Sequence, residues 1–273
     1  MFPVFTISFH HSKEVFVCCL IVSLRCVFWV GLSIRGGGND SPRPASQRAA
    51  ALVLTAAMLT TLTAPAFAET WDIEKGDITV KAGDTEGTNK VSQGTIIDKE
   101  DTNTVITGKS DKNTVTIEAK DEDDKVEVTL KDVNIDTSKQ SKAAVSVTGK
   151  GDTNIELDGD NELKSGAGHA GLEHNKTDTS GELTIQDKDK NGSLEAVGGF
   201  KGAGIGSAGS NDAQVKITGG NITATSDDWG AGIGSGSDGT AYVEITGGEI
   251  NATGGYLGAG IGGGCNGSGN AVS

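Results

Sequence analysis

Through the second half of the chain, apolar residues alternate with polar ones. Val215 and Ile217 are separated by Lys216, and Ile222 and Ala224 by Thr223, with Thr218 and Thr225 following. A period of two puts the apolar side chains on one face of a strand. Glycines recur every few residues, and each costs about 1 kcal/mol against Ala inside a helix. The pattern therefore predicts short strands near 214–218 and 221–225, with a third over the Ala-Gly-Ile step that follows.

The pattern repeats. Gly202-Ala-Gly-Ile-Gly206 returns at Gly230 and again at Gly258, a period of 28. Val215-Lys-Ile-Thr-Gly-Gly-Asn-Ile222 returns as Val243-Glu-Ile-Thr-Gly-Gly-Glu-Ile250 at the same offset. A fixed period of this size signals a solenoid, in which each repeat is one coil and neighbouring coils complete the core. Parallel strands lie about 4.8 Å apart, so stacking sets like on like. Val215 is expected over Val243, Ile217 over Ile245, and Leu194 over Ile222 and Ile250. Ala196, Ala224 and Ala252 form a second column, and Ile205, Ile233 and Ile261 a third.

Traced backward, the repeat drifts. Val128 and Leu130 match Ile155 and Leu157, which match Leu183 and Ile185. Ile135 matches Leu163, and Val145 matches Leu172. Leu183 and Ile185 then match Val215 and Ile217 across a longer coil, lengthened by Asp187-Lys-Asp-Lys190. Coils are expected from about residue 100 to the end, at 27–33 residues each. Residues 71–97 read as an N-terminal cap with irregular strands. The fold class is all-β, a parallel β-helix of about 28 residues per coil. Right-handed crossover follows from the general rule for parallel connections.

The first 68 residues read differently. Ser41–Arg48 is a basic stretch, Ala49–Leu62 a short apolar run, and Ala66-Phe-Ala68 a cleavage signal. Residues 41–68 are thus a secretory signal peptide. Residues 1–40 read as a spurious extension from a start codon set too far upstream. The alternative is a membrane segment over 15–34, interrupted by Arg25. Residues 69–273 form the β-helix domain, and the absence of a polar terminal cap after the last repeat reads as C-terminal truncation.

Charge narrows the partners. Residues 69–273 hold 18 lysines, no arginine and 35 acidic residues, a net charge of −17. That balance repels nucleic acid and anionic membrane. Cys265 is the single cysteine of this segment, so no disulfide can form within it. The expected location is outside the cell, at the surface or wall.

The order Val128-Thr-Leu-Lys-Asp-Val-Asn-Ile135, then Asn161-Glu-Leu-Lys-Ser-Gly166, then the Gly-Ala-Gly-Ile-Gly phrases resembles one family. It is similar to secreted carbohydrate-binding surface proteins of clostridia-like bacteria. The resemblance implies a right-handed, pectate-lyase-like β-helix, binding of plant or acidic polysaccharide, and calcium. A structural stalk or adhesin is the alternative reading, and a polysaccharide lyase the second. The lyases that this fold resembles commonly use an Arg as base, and the segment has none.

Candidate residues follow. Phe200, Trp229 and Tyr256 each lie just before a Gly-Ala-Gly-Ile-Gly phrase. They are expected to form a column along one corner, where rings either stack on pyranose faces or shield the core. Asp187, Asp189 and Asn191, followed by Gly192, have the spacing of a calcium turn. EF-hand identity fails, because Gly198 stands where the bidentate Glu belongs. A plain solvated turn is the other reading. Asp121–Asp124 is read as a solvated acidic loop, with a calcium turn as the minority view. His169 and His174 could ligate metal, although no third ligand has a suggestive spacing. Cys265 is read as a small buried or incidental residue.

Overall fold

The structure, a computed structural model, describes residues 68–273. The expected signal peptide and the extension before it lie outside the described residues, apart from Ala68. The described chain is a right-handed parallel β-solenoid made of strands and turns, with a single 3-10 turn at Ile73–Lys75.

Two sheets run along the solenoid. One stacks, in order, Thr70–Asp72, Thr104–Ser110, Lys125–Asp136, Asp152–Lys164, Leu183–Gln186, Ala213–Ile217, Thr240–Ile245 and Ser268–Val272. From Gly192–Gly198 onward a second arm of the same sheet stacks Asn221–Ser226 and Glu249–Thr253. The other sheet stacks Val115–Ala119, Val145–Gly149, Leu172–His174, Ile205–Gly206, Ile233–Gly234 and Ile261–Gly262. The strands alternate buried and partly exposed positions, as in Ala213–Ile217 and Leu183–Gln186.

The stacked columns are as expected in the later coils. Val215 pairs with Val243 and Ile217 with Ile245. Leu194, Ile222 and Ile250 form one ladder and Ala196, Ala224 and Ala252 another. Ile205, Ile233 and Ile261 form the third. Ile205 and Ile233 are fully buried. Each such side chain contributes about 1.5–3 kcal/mol by leaving water.

The turn after each isoleucine needs glycine. Gly206, Gly234 and Gly262 have φ of 132°, 135° and 129°. A Cβ on Gly206 would lie 1.9 Å from the Gly234 carbonyl oxygen of the next coil. The turn is closed alike in three coils: the N–H groups of Ala203, Ala231 and Ala259 donate to the carbonyls of Ser207, Ser235 and Gly263.

Two expectations need correction. Parallel stacking begins before residue 100. Thr70–Asp72 already pairs with Thr104–Ser110, and Ile78–Ala82 with Val115–Ala119. What caps the solenoid is an antiparallel meander, Ile78–Ala82 to Asn89–Gln93 to Ile96–Asp101. The buried Asp101 ties this cap down, accepting from the Trp71 indole at 2.7 Å and from the N–H groups of Glu69 and Asn103 at 3.1 Å.

The second correction concerns register. Leu183 lies over Thr153 and Ile185 over Ile155, not over Ile155 and Leu157. A slip of two residues keeps every side chain on its face, so alternation alone does not reveal it. Leu157 instead fills space left by glycines, where a Cβ on Gly192 would come within 2.5 Å of its Cβ. The slip buries Thr153 with its hydroxyl unpartnered among the described residues.

Candidate functional site

The corner before each Gly-Ala-Gly-Ile-Gly phrase is set by backbone shape. Register through Leu172, Ile205, Ile233 and Ile261 aligns Gly168, Lys201, Trp229 and Leu257 on successive coils. All four take positive φ, between 60° and 88°. The preceding position carries Ala167, Phe200, Asp228 and Tyr256.

The three predicted aromatics therefore do not share one column. Phe200 and Tyr256 occupy the same position two coils apart, with Asp228 between, and Trp229 stands one residue later. The structure does bring Phe200 and Trp229 together, with ring centroids 5.3 Å apart and planes tilted by 43°. Phe200 and Tyr256 are exposed, and Trp229 is half-buried. The ammonium of Lys201 lies 5.7 Å from the Phe200 ring and 5.2 Å from the Trp229 ring. Among the described residues Lys201 has no carboxylate partner. Sequence reasoning missed this lysine, whose signal is its place in the Trp229 column.

Histidine enters the same corner. Gly168 N–H donates to the Phe200 carbonyl at 2.8 Å, and Gly199 N–H to the His169 carbonyl at 3.0 Å. The His169 ring, one-third exposed, places Nδ1 2.8 Å from Glu173 Oε2. Glu173 is buried and also accepts from Ala170 N–H at 3.1 Å and Asn175 Nδ2 at 3.2 Å. Glu173 was missed as well. Its signal is a charged residue at the place that Gly206 holds one coil later. His174 is elsewhere: it is buried, and its Nδ1 meets the Gln214 carbonyl at 3.2 Å. Burial pushes its imidazole below the ordinary value of 6.5. The bond to Gln214 opposes this, and the Lys176 charge adds to the lowering.

The Asp187 turn is closed on itself. Asp187 accepts from Asn191 N–H at 3.2 Å on one oxygen and from Gly192 N–H at 3.1 Å on the other. The Asn191 amide donates to Asp158 at 3.4 Å, and Asp189 is exposed. A cation bound here would compete with those N–H groups for Asp187. Asp121–Asp124 is likewise a small turn, in which Asp124 Oδ2 accepts from Asp121 N–H at 2.9 Å. Among the described residues no three His, Cys, Asp or Glu gather in a metal-holding group. Cys265 is buried and unpaired, as expected.

A polar groove of about 530 Å³ lies on the outer face of the strands that follow the cap. Its floor includes Glu127, Asn154, Glu156 and Gln186, outward positions on three successive strands. Glu156 Oε1 accepts from Lys188 N–H at 2.6 Å. Its Oε2 has no hydrogen bond and lies 3.7 Å from Lys188 Nζ. Alternation predicts these outward residues, but not that the cap loop and the Asp187 turn wall them in.

Comparison with known families gives one result that fits this architecture. A family model described as a beta helix repeat matches residues 215–237 and 243–265. Two of the coils are β-helix repeats. The matches are offset by the 28-residue period; Trp229 and Tyr256 fall within them, and Phe200 and Lys201 do not. Comparison with curated proteins and with solved structures gave no match. No helix among the described residues is long and apolar enough to cross a membrane.

Proposed function

We propose that the protein is an exported, non-catalytic β-helix that binds a linear plant or acidic polysaccharide at the bacterial surface. The observation that carries this reading is the contacting pair Phe200 and Trp229 with Lys201 beside it. Aromatic faces stack on the C–H faces of pyranose rings, and an ammonium without a carboxylate partner suits an anionic sugar. The ring contacts of the corner add little to the fold. An aromatic pair contributes about 0.5–1.5 kcal/mol beyond its buried area, and an exposed cation–π contact about 0.5–1 kcal/mol. Both are small beside the columns of buried isoleucine and leucine.

Retention on insoluble plant polysaccharides tests the proposal. The purified protein is expected to sediment with at least one acidic or neutral glycan, and Trp229→Ala to lose most of that retention while melting near the wild-type temperature. A protein that stays in the supernatant with every glycan would refute it.

A structural spacer is the second reading. It is favoured by the position of Lys201, which already sits against both rings. On that reading Trp229→Ala lowers stability and changes no binding. The lyase reading has less support, because residues 69–273 contain no arginine to act as base. It would be restored by unsaturated sugar products absorbing in the ultraviolet.

A further inference from the structure

We infer that Lys201 makes the aromatic corner selective for anionic sugars: in the free protein its ammonium rests against Phe200 and Trp229, and a bound carboxylate or sulfate takes it over. This rests on the binding reading above and names the residue that would set its specificity. Direct contacts place the three side chains. The ring centroids are 5.3 Å apart, and Lys201 Nζ lies 5.7 Å from that of Phe200 and 5.2 Å from that of Trp229. Asp227 and Asp228 precede Trp229 on the neighbouring coil, yet Lys201 meets Asp228 through backbone, its N–H donating to the Asp228 carbonyl at 2.9 Å. The Lys201 carbonyl accepts from Ser237 N–H at 3.0 Å. The backbone is thus pinned on both sides of the residue, while among the described residues Nζ is held by the two rings alone.

Backbone shape at this corner favours glycine, not these side chains. Lys201 and Trp229 hold left-handed backbone at φ of 68° and 60°, in the column that Gly168 enters at 88°. Glycine takes that conformation without the cost a larger residue bears. Two adjacent coils nevertheless carry a lysine and a tryptophan there, and their side chains meet. Lys201 is the one cation among Gly168, Lys201, Trp229, Leu257 and the residues just before them. A sugar ring that stacks on the face under the ammonium displaces it. For a neutral sugar that contact is lost outright, a penalty of about two- to fivefold in affinity. A carboxylate or sulfate on the same sugar gives the ammonium a new partner of opposite charge, joined by a charge-assisted hydrogen bond. The rings offer stacking to every pyranose, and Lys201 ranks the sugars by charge.

The test measures binding of the wild-type protein and of Lys201→Met to oligogalacturonate, its methyl ester, a sulfated galactan oligosaccharide and xylo-oligosaccharide. The methyl ester keeps the sugar ring and removes the charge. The wild-type protein is expected to bind the acid or the sulfated sugar about tenfold tighter than the ester, the scale of one hydrogen bond to a charged group, and added salt should shrink that preference. Lys201→Met should lose the preference and its salt dependence while binding the ester and the xylo-oligosaccharide at least as well as wild type. The tighter of the acid and the sulfated sugar identifies which anion the site takes. A wild-type protein that binds acid, sulfated sugar and ester equally, a Lys201→Met protein that keeps the preference, or one that weakens on all four sugars alike would overturn the inference and leave the binding reading intact. No binding by the wild-type protein to any of the four would remove both.

Discussion

The coils from Ala213 onward and the coil from Asp152 to Gly198 are built on one plan with different contents. In the later coils like stacks on like: valine on valine, alanine on alanine, isoleucine on isoleucine. In the earlier coil Leu183 meets Thr153, Leu194 meets Asn161 and Ala196 meets Leu163. Its buried polar groups include Thr153, Asn161, Glu173 and His174. Asn161 is consumed structurally: its Oδ1 accepts from Val133 N–H at 3.0 Å, and its amide donates to the Ser193 carbonyl at 3.1 Å. A solenoid coil that repeats its neighbour contributes length and core, and one that departs from its neighbours has room for side chains with other tasks.

The largest effect should come from the regular coils. Ile233→Ala removes the middle of a column closed above and below, and is expected to cost about 2–5 kcal/mol. Chemical denaturation checks this, and a loss under 1 kcal/mol would mean that the columns do not share one core. The irregular coil should respond to pH instead. Below pH 6.5 an unfolded chain protonates His174, whereas burial keeps the folded imidazole neutral to lower pH. The unfolded state then binds more protons, so stability falls as pH drops below 6.5, by at most about 1.4 kcal/mol per pH unit. His174→Gln should flatten that slope. Asp136 acts in a separate window: hydrogen bonds from Ser138 lower its value below 3.8, so its stabilisation is lost only in stronger acid. The smallest effect is a gain. Thr153→Val replaces an unpartnered buried hydroxyl with a methyl and should stabilise by about 1 kcal/mol. A loss would indicate that the hydroxyl has a partner after all.

The same contrast explains what the sequence disclosed. Val215 and Val243, or Ile205, Ile233 and Ile261, are identical residues at one period, so strand positions, stacking and core were legible from spacing. The two-residue slip under Leu183 was not, because it leaves every apolar residue on the correct face. The early start of parallel pairing was hidden because Thr70–Asp72 is only three residues long. Within the corner, aromatic scarcity pointed to Phe200 and Trp229 but missed the one-residue offset that puts Trp229 in the Lys201 column. The Glu173–His169 pair, four residues apart on a turn, had no periodic signature.

The central claim is that successive coils lie in register, residue over residue. Its most direct test is oxidation of cysteine pairs on the outer face of neighbouring coils. Thr223 and Asn251 are Cα partners, and parallel neighbours about 4.8 Å apart lie within the disulfide range of about 4.4–6.8 Å. The doubly substituted Thr223→Cys, Asn251→Cys protein should form an intramolecular disulfide rapidly under mild oxidant, while Thr223→Cys with Thr253→Cys, displaced by two residues, should not. Faster bridging of the displaced pair, or none in either, would contradict the stacking.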